Sequence, residues 1–117
     1  NLIDSAEFAR MKPQAILLNL SRGGVVDEAA LFDALSTNRI FSAATDVLEQ
    51  EPVRADDALL RLPNCIVLPH IAAMTFETQR NIAMTAANQC LTSLSGKIPK
   101  NIVNPDALKH PKWKAYL

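Results

Sequence analysis

Apolar and polar positions fall into short blocks along this chain, and the blocks predict strands and helices in turn. Ala15-Ile16-Leu17-Leu18 is a continuous apolar run, short enough to be a strand over about 15–20 and apolar enough to be buried on both faces. Ala29-Ala30-Leu31-Phe32-Asp33-Ala34-Leu35 carries helical spacing instead, predicting a helix over about 28–37. A second strand follows at Phe41-Ser42-Ala43-Ala44-Thr45-Asp46-Val47, built of small residues that let helices approach. A third, Cys65-Ile66-Val67-Leu68, is stopped by Pro69. From Thr75 to Ser95-Gly96 apolar residues recur every fourth position, at Ile82, Ala86, Cys90 and Leu94, with Ala83, Ala87 and Leu91 beside them. That wide stripe predicts one long helix packed along most of its length.

Local signals mark where these elements start and stop. Asp4 with Glu7 three residues on reads as a capping box for a short first helix, with Ile3 set to pack on Phe8. Lys12-Pro13 ends that helix, because the residue before proline avoids helical angles. Asp27 is placed to cap the next helix, and Glu28 suits the positive end of its dipole. Asn38 stands where a left-handed residue ends a helix, a conformation asparagine tolerates. The stretch 57–62 reads as a helical turn, and Thr75 as the cap of the long helix. The tail from Lys97, with three prolines and Trp113, reads as an irregular segment laid over another surface.

Strands alternating with helices imply a parallel sheet with right-handed crossovers. Three strands are few for such a sheet, which averages about five or six. The expected fold class is therefore α/β: the C-terminal half of a doubly wound parallel-sheet domain, over 1–75, followed by a long helix and irregular tail over 76–117 that pack toward another domain. Composition narrows the function. With 12 basic and 12 acidic residues scattered without runs, the chain carries no footprint for a nucleic-acid partner or a membrane surface. Cys65 and Cys90 fit neither a zinc spacing nor a Cys-x-x-Cys motif, so no metal site is expected. They read as buried free thiols of a cytoplasmic protein. The chain opens on Asn rather than Met, which implies a segment upstream.

Chemistry concentrates where the strands end. Arg22 follows the first strand, Asp46 to Glu51 the second, and His70 the third. In a parallel sheet those ends share one edge, the edge where α/β proteins bind ligands. Taken alone, each has a plain alternative: a solvated arginine, a linker glutamate, a core histidine. Three such residues after three strands point to a site. Asn19 reads as a support of the Arg22 turn, and Gly23-Gly24 as permitting backbone angles and close approaches there.

The ordered set Met11-Lys12, Asn19-Leu20-Ser21-Arg22-Gly23, Val25-Val26-Asp27, Ala29, Leu31, Ala44, Asp46-Val47, Glu51-Pro52, Leu62, Asn64, Val67, Pro69-His70 and Thr75 resembles the D-isomer-specific 2-hydroxyacid dehydrogenases. The resemblance implies a Rossmann-type NAD(P)-binding domain and an oxidoreductase that passes a hydride between NAD or NADP and a small 2-oxo acid. It implies a catalytic trio of Arg22, Glu51 and His70. Arg22 would hold the substrate, His70 would act as acid and base, and Glu51 would orient His70 and favour its charged form. Leu20, Ser21, Arg22, Asp46, His70, Ala72 and Ala73 would border the nicotinamide. Ile102-Val103-Asn104-Pro105 resembles the tail of glyoxylate and hydroxypyruvate reductases, and Glu51 argues against the formate dehydrogenase branch, which carries glutamine there. Too few residues follow His70 for the regulatory domain of some phosphoglycerate dehydrogenases. Ala72-Ala73-Met74 departs from relatives that place Gly after the His-Ile pair.

No Gly-x-Gly-x-x-Gly occurs and the chain has only three glycines, so the pyrophosphate turn and the substrate domain would lie upstream, in a longer enzyme expected to be a homodimer. Two other readings stay open: a nicotinamide-sensing interaction protein of the corepressor type, and an inactive truncated copy.

Overall fold

The computed structural model describes residues 1–113. Its described residues fall into two compact units, Asn1–Ala72 and a second that begins at Ala73. In the first, α1 (Ser5–Arg10), β1 (Ile16–Asn19), α2 (Glu28–Ser36), β2 (Ser42–Thr45) and β3 (Cys65–Val67) follow one another, with a single 3-10 turn at Leu59–Arg61. The strands form one parallel sheet in the order β1-β2-β3. This is the half-sheet the alternation of elements implies.

The capping residues act as their chemistry predicts. Asp4 and Glu7 form the reciprocal box at α1, Asp27 accepts from the Ala30 amide at 2.8 Å, and Asn38 takes the left-handed conformation with φ of 55°. Substituting such a cap by alanine typically costs about 1 kcal/mol. The N-terminal residues are held as well: Leu2 and Ile3 donate to the Val25 carbonyl, and Ile3 pairs in parallel with Val26.

Register decides which face of the sheet is covered. Leu17, Ala43 and Cys65 lie opposite one another and join the core, with Phe8 of α1 and Leu31, Ala34 and Leu35 of α2 packed on them. Ile40 and Leu59 complete this layer. The alternate residues point the other way, and there the expectation fails. Ile16 is 60% exposed, Leu18 64% and Ile66 62%, so β1 is not buried on both faces. Side chains alternate along a strand, and both helices of this unit contribute to the core on the Leu17 face alone. At the carboxyl end of the covered face, Asn19 and Thr45 are buried polar residues in register, and Asp46 follows them, 1% exposed.

The second unit holds α3 (Phe76–Leu94), capped by Thr75, then Gly96 at φ of 73° and two 3-10 turns, Pro105–Lys109 and Pro111–Trp113. Within this chain no residue of α3 is buried, and Ile82, Leu91 and Leu94 are exposed. An apolar stripe buries itself only where a surface covers it. Cys90, on that stripe, is exposed rather than buried, while Cys65 is half-buried and its thiol is pushed up by that burial.

Candidate active site

Each of the three turns at the carboxyl edge of the sheet is held by a different device. After β1, the Asn19 side chain shapes the turn. Its Oδ1 accepts from the Ser21 amide at 3.2 Å and from the Ser21 hydroxyl at 2.8 Å, and its Nδ2 donates to the Arg22 carbonyl at 3.3 Å. Leu20, Ser21 and Arg22 thereby stand exposed at the edge, with Arg22 Nη1 donating to the Ser21 carbonyl at 2.7 Å. The support role read for Asn19 is what the turn shows. Gly23 then runs directly against the next loop: a Cβ there would lie 2.1 Å from the Leu48 carbonyl oxygen.

After β2, Thr45 Oγ1 donates to the Val47 carbonyl at 2.6 Å, and the chain turns through buried Val47 and Leu48 toward Glu51. Glu51 uses both carboxylate oxygens. Oε1 accepts from the Leu48 amide at 3.0 Å, and Oε2 lies 2.7 Å from His70 Nδ1. An ionised carboxylate only accepts, so Nδ1 carries the hydrogen and the other ring nitrogen is left to exchange a proton. His70 and the Leu48 amide hold the Glu51 carboxyl below its usual value, against a smaller opposing effect of burial. The pair borders a cavity of about 180 Å³ walled chiefly by Leu48, Pro52, Val53, Leu68 and Pro69.

After β3, His70 itself adopts a left-handed backbone, with φ of 56°. Asp46 secures the residues that follow it. Oδ1 accepts from the Ile71 amide at 2.8 Å and Oδ2 from the Ala72 amide at 2.7 Å. Burial pushes the Asp46 carboxyl up, but these two amides and the His70 charge outweigh it, leaving the group below its usual value. In this arrangement both oxygens of Asp46 clamp the turn. Ala73 opens the second unit, where its carbonyl accepts from Gln79 Nε2 at 3.4 Å.

The structure therefore pairs Glu51 with His70 directly and sets Asp46 beneath the His70 turn. Arg22 stands at the same edge, tied to the Glu51 loop through Gly23 and making no bond to Glu51 or His70 among the described residues. Sequence reasoning missed the Asp46 clamp on Ile71 and Ala72, and it missed a bond from Glu28 Oε1 to the Glu49 amide at 2.5 Å. Only the presence of a carboxylate at each position could have hinted at them. As for a dinucleotide, the edge offers an exposed guanidinium, exposed backbone at 20–22 and an imidazole with one ring nitrogen not engaged by Glu51. That set fits the nicotinamide end.

A parallel half-sheet with helices packed on one face, and with a cation, a carboxylate and an imidazole at its carboxyl edge, has the architecture of part of a nucleotide-binding α/β domain. Residues 1–72 match the family model described as D-isomer specific 2-hydroxyacid dehydrogenase, NAD binding domain. The chain belongs to that family. It is 49% identical over 105 residues to glyoxylate/hydroxypyruvate reductase B of Citrobacter koseri, covering 90% of this chain and 32% of that protein. Among solved structures it resembles D-lactate dehydrogenase with NAD+ from Lactobacillus jensenii, with a TM-score of 0.74, 34% identity, and coverage of 88% of this chain and 35% of that one. It also resembles an NADPH-dependent glyoxylate/hydroxypyruvate reductase from Sinorhizobium meliloti in complex with NADP and malonate. There the TM-score is 0.72, the identity 33%, and the coverage 80% and 29%. The chain spans about a third of the length of these curated relatives.

Proposed function

We propose that the whole protein reduces a small 2-oxo acid to a D-2-hydroxy acid with NADH or NADPH, glyoxylate and hydroxypyruvate being the first substrates to test. The observation that carries this reading is the 2.7 Å pair of His70 and Glu51 on the carboxyl edge of the sheet. When bound, the reduced nicotinamide supplies the hydride to the substrate's C2. His70, charged and oriented through Nδ1 by Glu51, gives the proton to the carbonyl oxygen from its other nitrogen, so that C=O becomes CH–OH. In the reverse direction the same nitrogen takes the proton back. Arg22, a planar and permanently charged fork, holds the substrate carboxylate and draws electron density toward the carbonyl oxygen. The backbone at 20–22 and the Asp46-clamped turn at Ile71 and Ala72 border the nicotinamide. Ala73 belongs to the same proposed border. The chain from 76 onward packs toward the substrate domain of a cytoplasmic homodimer, a role supported by the exposed apolar residues of α3.

The test is oxidation of NADH and of NADPH by the whole protein with glyoxylate and hydroxypyruvate, wild type beside His70→Asn. Asparagine is chosen because it is among the residues that tolerate the left-handed backbone at this position. Turnover should fall by about 10²–10⁴-fold, the usual contribution of a general acid, while dinucleotide binding persists. Dinucleotide binding without turnover in the wild type would favour the sensing role instead.

A further inference from the structure

The Glu28 carboxylate stands at the start of α2, yet its bond is to the loop after β2. Oε1 accepts from the Glu49 amide at 2.5 Å, across 21 residues of sequence. The peptide it grips is the one joining Leu48 to Glu49. The carbonyl of that same peptide is the group against which Gly23 is seated, with no room for a Cβ. One residue earlier, the Leu48 amide donates to Glu51 Oε1, and Glu51 Oε2 meets His70. A single peptide group is thus fixed from two sides, and the amide next to it aims the carboxylate that orients the imidazole.

We infer that Glu28 is a positioning residue for the Glu51–His70 pair, acting through the peptide that joins Leu48 and Glu49. This rests on the proposed function, since it concerns the same proton-transfer step. A peptide free to rotate at Glu49 carries the Leu48 amide with it and loosens the aim of Glu51. Misplacement by about 1 Å far from the reacting atoms can cost about 10²-fold in rate. The arrangement is not explained by charge attraction. Burial raises the Glu28 carboxyl above its usual value, the Glu49 amide opposes that, and the carboxylates of Glu49, Asp57 and Asp27 add to the rise. What the site needs from position 28 is an oxygen that accepts, which a neutral amide also supplies.

Three variants of the whole protein separate the roles: Glu28→Gln keeps the acceptor, Glu28→Met keeps the length without a strong acceptor, and Glu28→Ala is the second acceptor-free variant should Met fail to fold. Steady-state kinetics with glyoxylate and titration with NADH and NADPH are read together with amide hydrogen exchange at Glu49. The acceptor-free variant should lower kcat by about tenfold or more. Its dinucleotide Kd should stay within about twofold, and its Glu49 amide should exchange faster. Glu28→Gln should restore both kcat and protection. Placed on Glu51→Gln, the acceptor-free change should cost less than about twofold further, because both act through one carboxylate. The inference is overturned if the acceptor-free variant keeps wild-type kcat, if Gln fails to rescue, or if the loss is undiminished in the Glu51→Gln background. His70→Asn in the same assay keeps the readings apart. If it retains turnover, the proposed function fails; if it is inactive while the acceptor-free variant is not, only the role of Glu28 fails.

Discussion

Gly23→Ala is the substitution whose consequence follows most directly from distance. The added Cβ would stand 2.1 Å from the Leu48 carbonyl oxygen, 2.5 Å from its carbon and 2.9 Å from the Glu49 nitrogen. All three are backbone atoms, so no side chain can swing aside. To open 2.1 Å to an ordinary contact of 3.4 Å, the two loops must part by about 1.3 Å. Overpacking of a filled site costs about 1–3 kcal/mol, and the upper half of that range applies where only backbone can yield. The same movement carries the Leu48 amide away from Glu51, so kcat should fall by about 10²-fold. Gly24→Ala is the control. Gly24 sits at φ of 75° with nothing within 4 Å of where an added methyl would stand, so alanine there bears the left-handed cost of about 1–2 kcal/mol without moving the Glu51 loop. Urea denaturation and steady-state kinetics on both variants decide the matter. If Gly23→Ala loses less than about 0.5 kcal/mol and keeps its turnover, the loops are not keyed together as described.

Arg22→Lys keeps the charge but loses the fork, so substrate KM should rise and kcat fall in the whole protein; equal kinetics with lysine would refute recognition by the guanidinium plane. Because the Glu51 carboxyl is lowered in the fold, its contribution to stability is present above the ordinary value of 4.5 and is lost as pH falls through the lowered value. Thermal melts should therefore show wild type above Glu51→Gln at neutral pH and the two converging in acid; a gap that persists unchanged would contradict the pairing. Asp46→Asn replaces one of two acceptors by a donor that faces an amide, so exchange at Ile71 or Ala72 should quicken and kcat fall, whereas unchanged exchange would deny the clamp.

Much of this architecture could be read before the structure, and for local reasons. Asp4, Asp27, Asn38 and Thr75 act within a few residues of themselves, and short-range chemistry is legible in order along the chain. The placement of Arg22, Glu51 and His70 was legible as well, because parallel strands put all their carboxyl ends on one edge. What failed needed knowledge of neighbours. A continuous apolar run such as Ala15-Ile16-Leu17-Leu18 reads the same whether one face or both are covered, and the register with Ala43 and Cys65 reveals that Ile16 and Leu18 are exposed. Glu28 was legible only as a dipole partner, since nothing near it in sequence points to the Glu49 amide.

The left-handed backbone at His70 bears on how such a protein would decay if selection for its chemistry lapsed. Most side chains resist that conformation, whereas glycine, asparagine and aspartate accept it. Drift that removes the imidazole is thus channelled: replacements by glycine or asparagine silence proton exchange while sparing the fold, and β-branched replacements remove both. A lineage retaining the turn but carrying asparagine at this position would keep the backbone of this edge while losing the imidazole on which the proposed proton transfer depends, the raw material for a sensor descended from a catalyst.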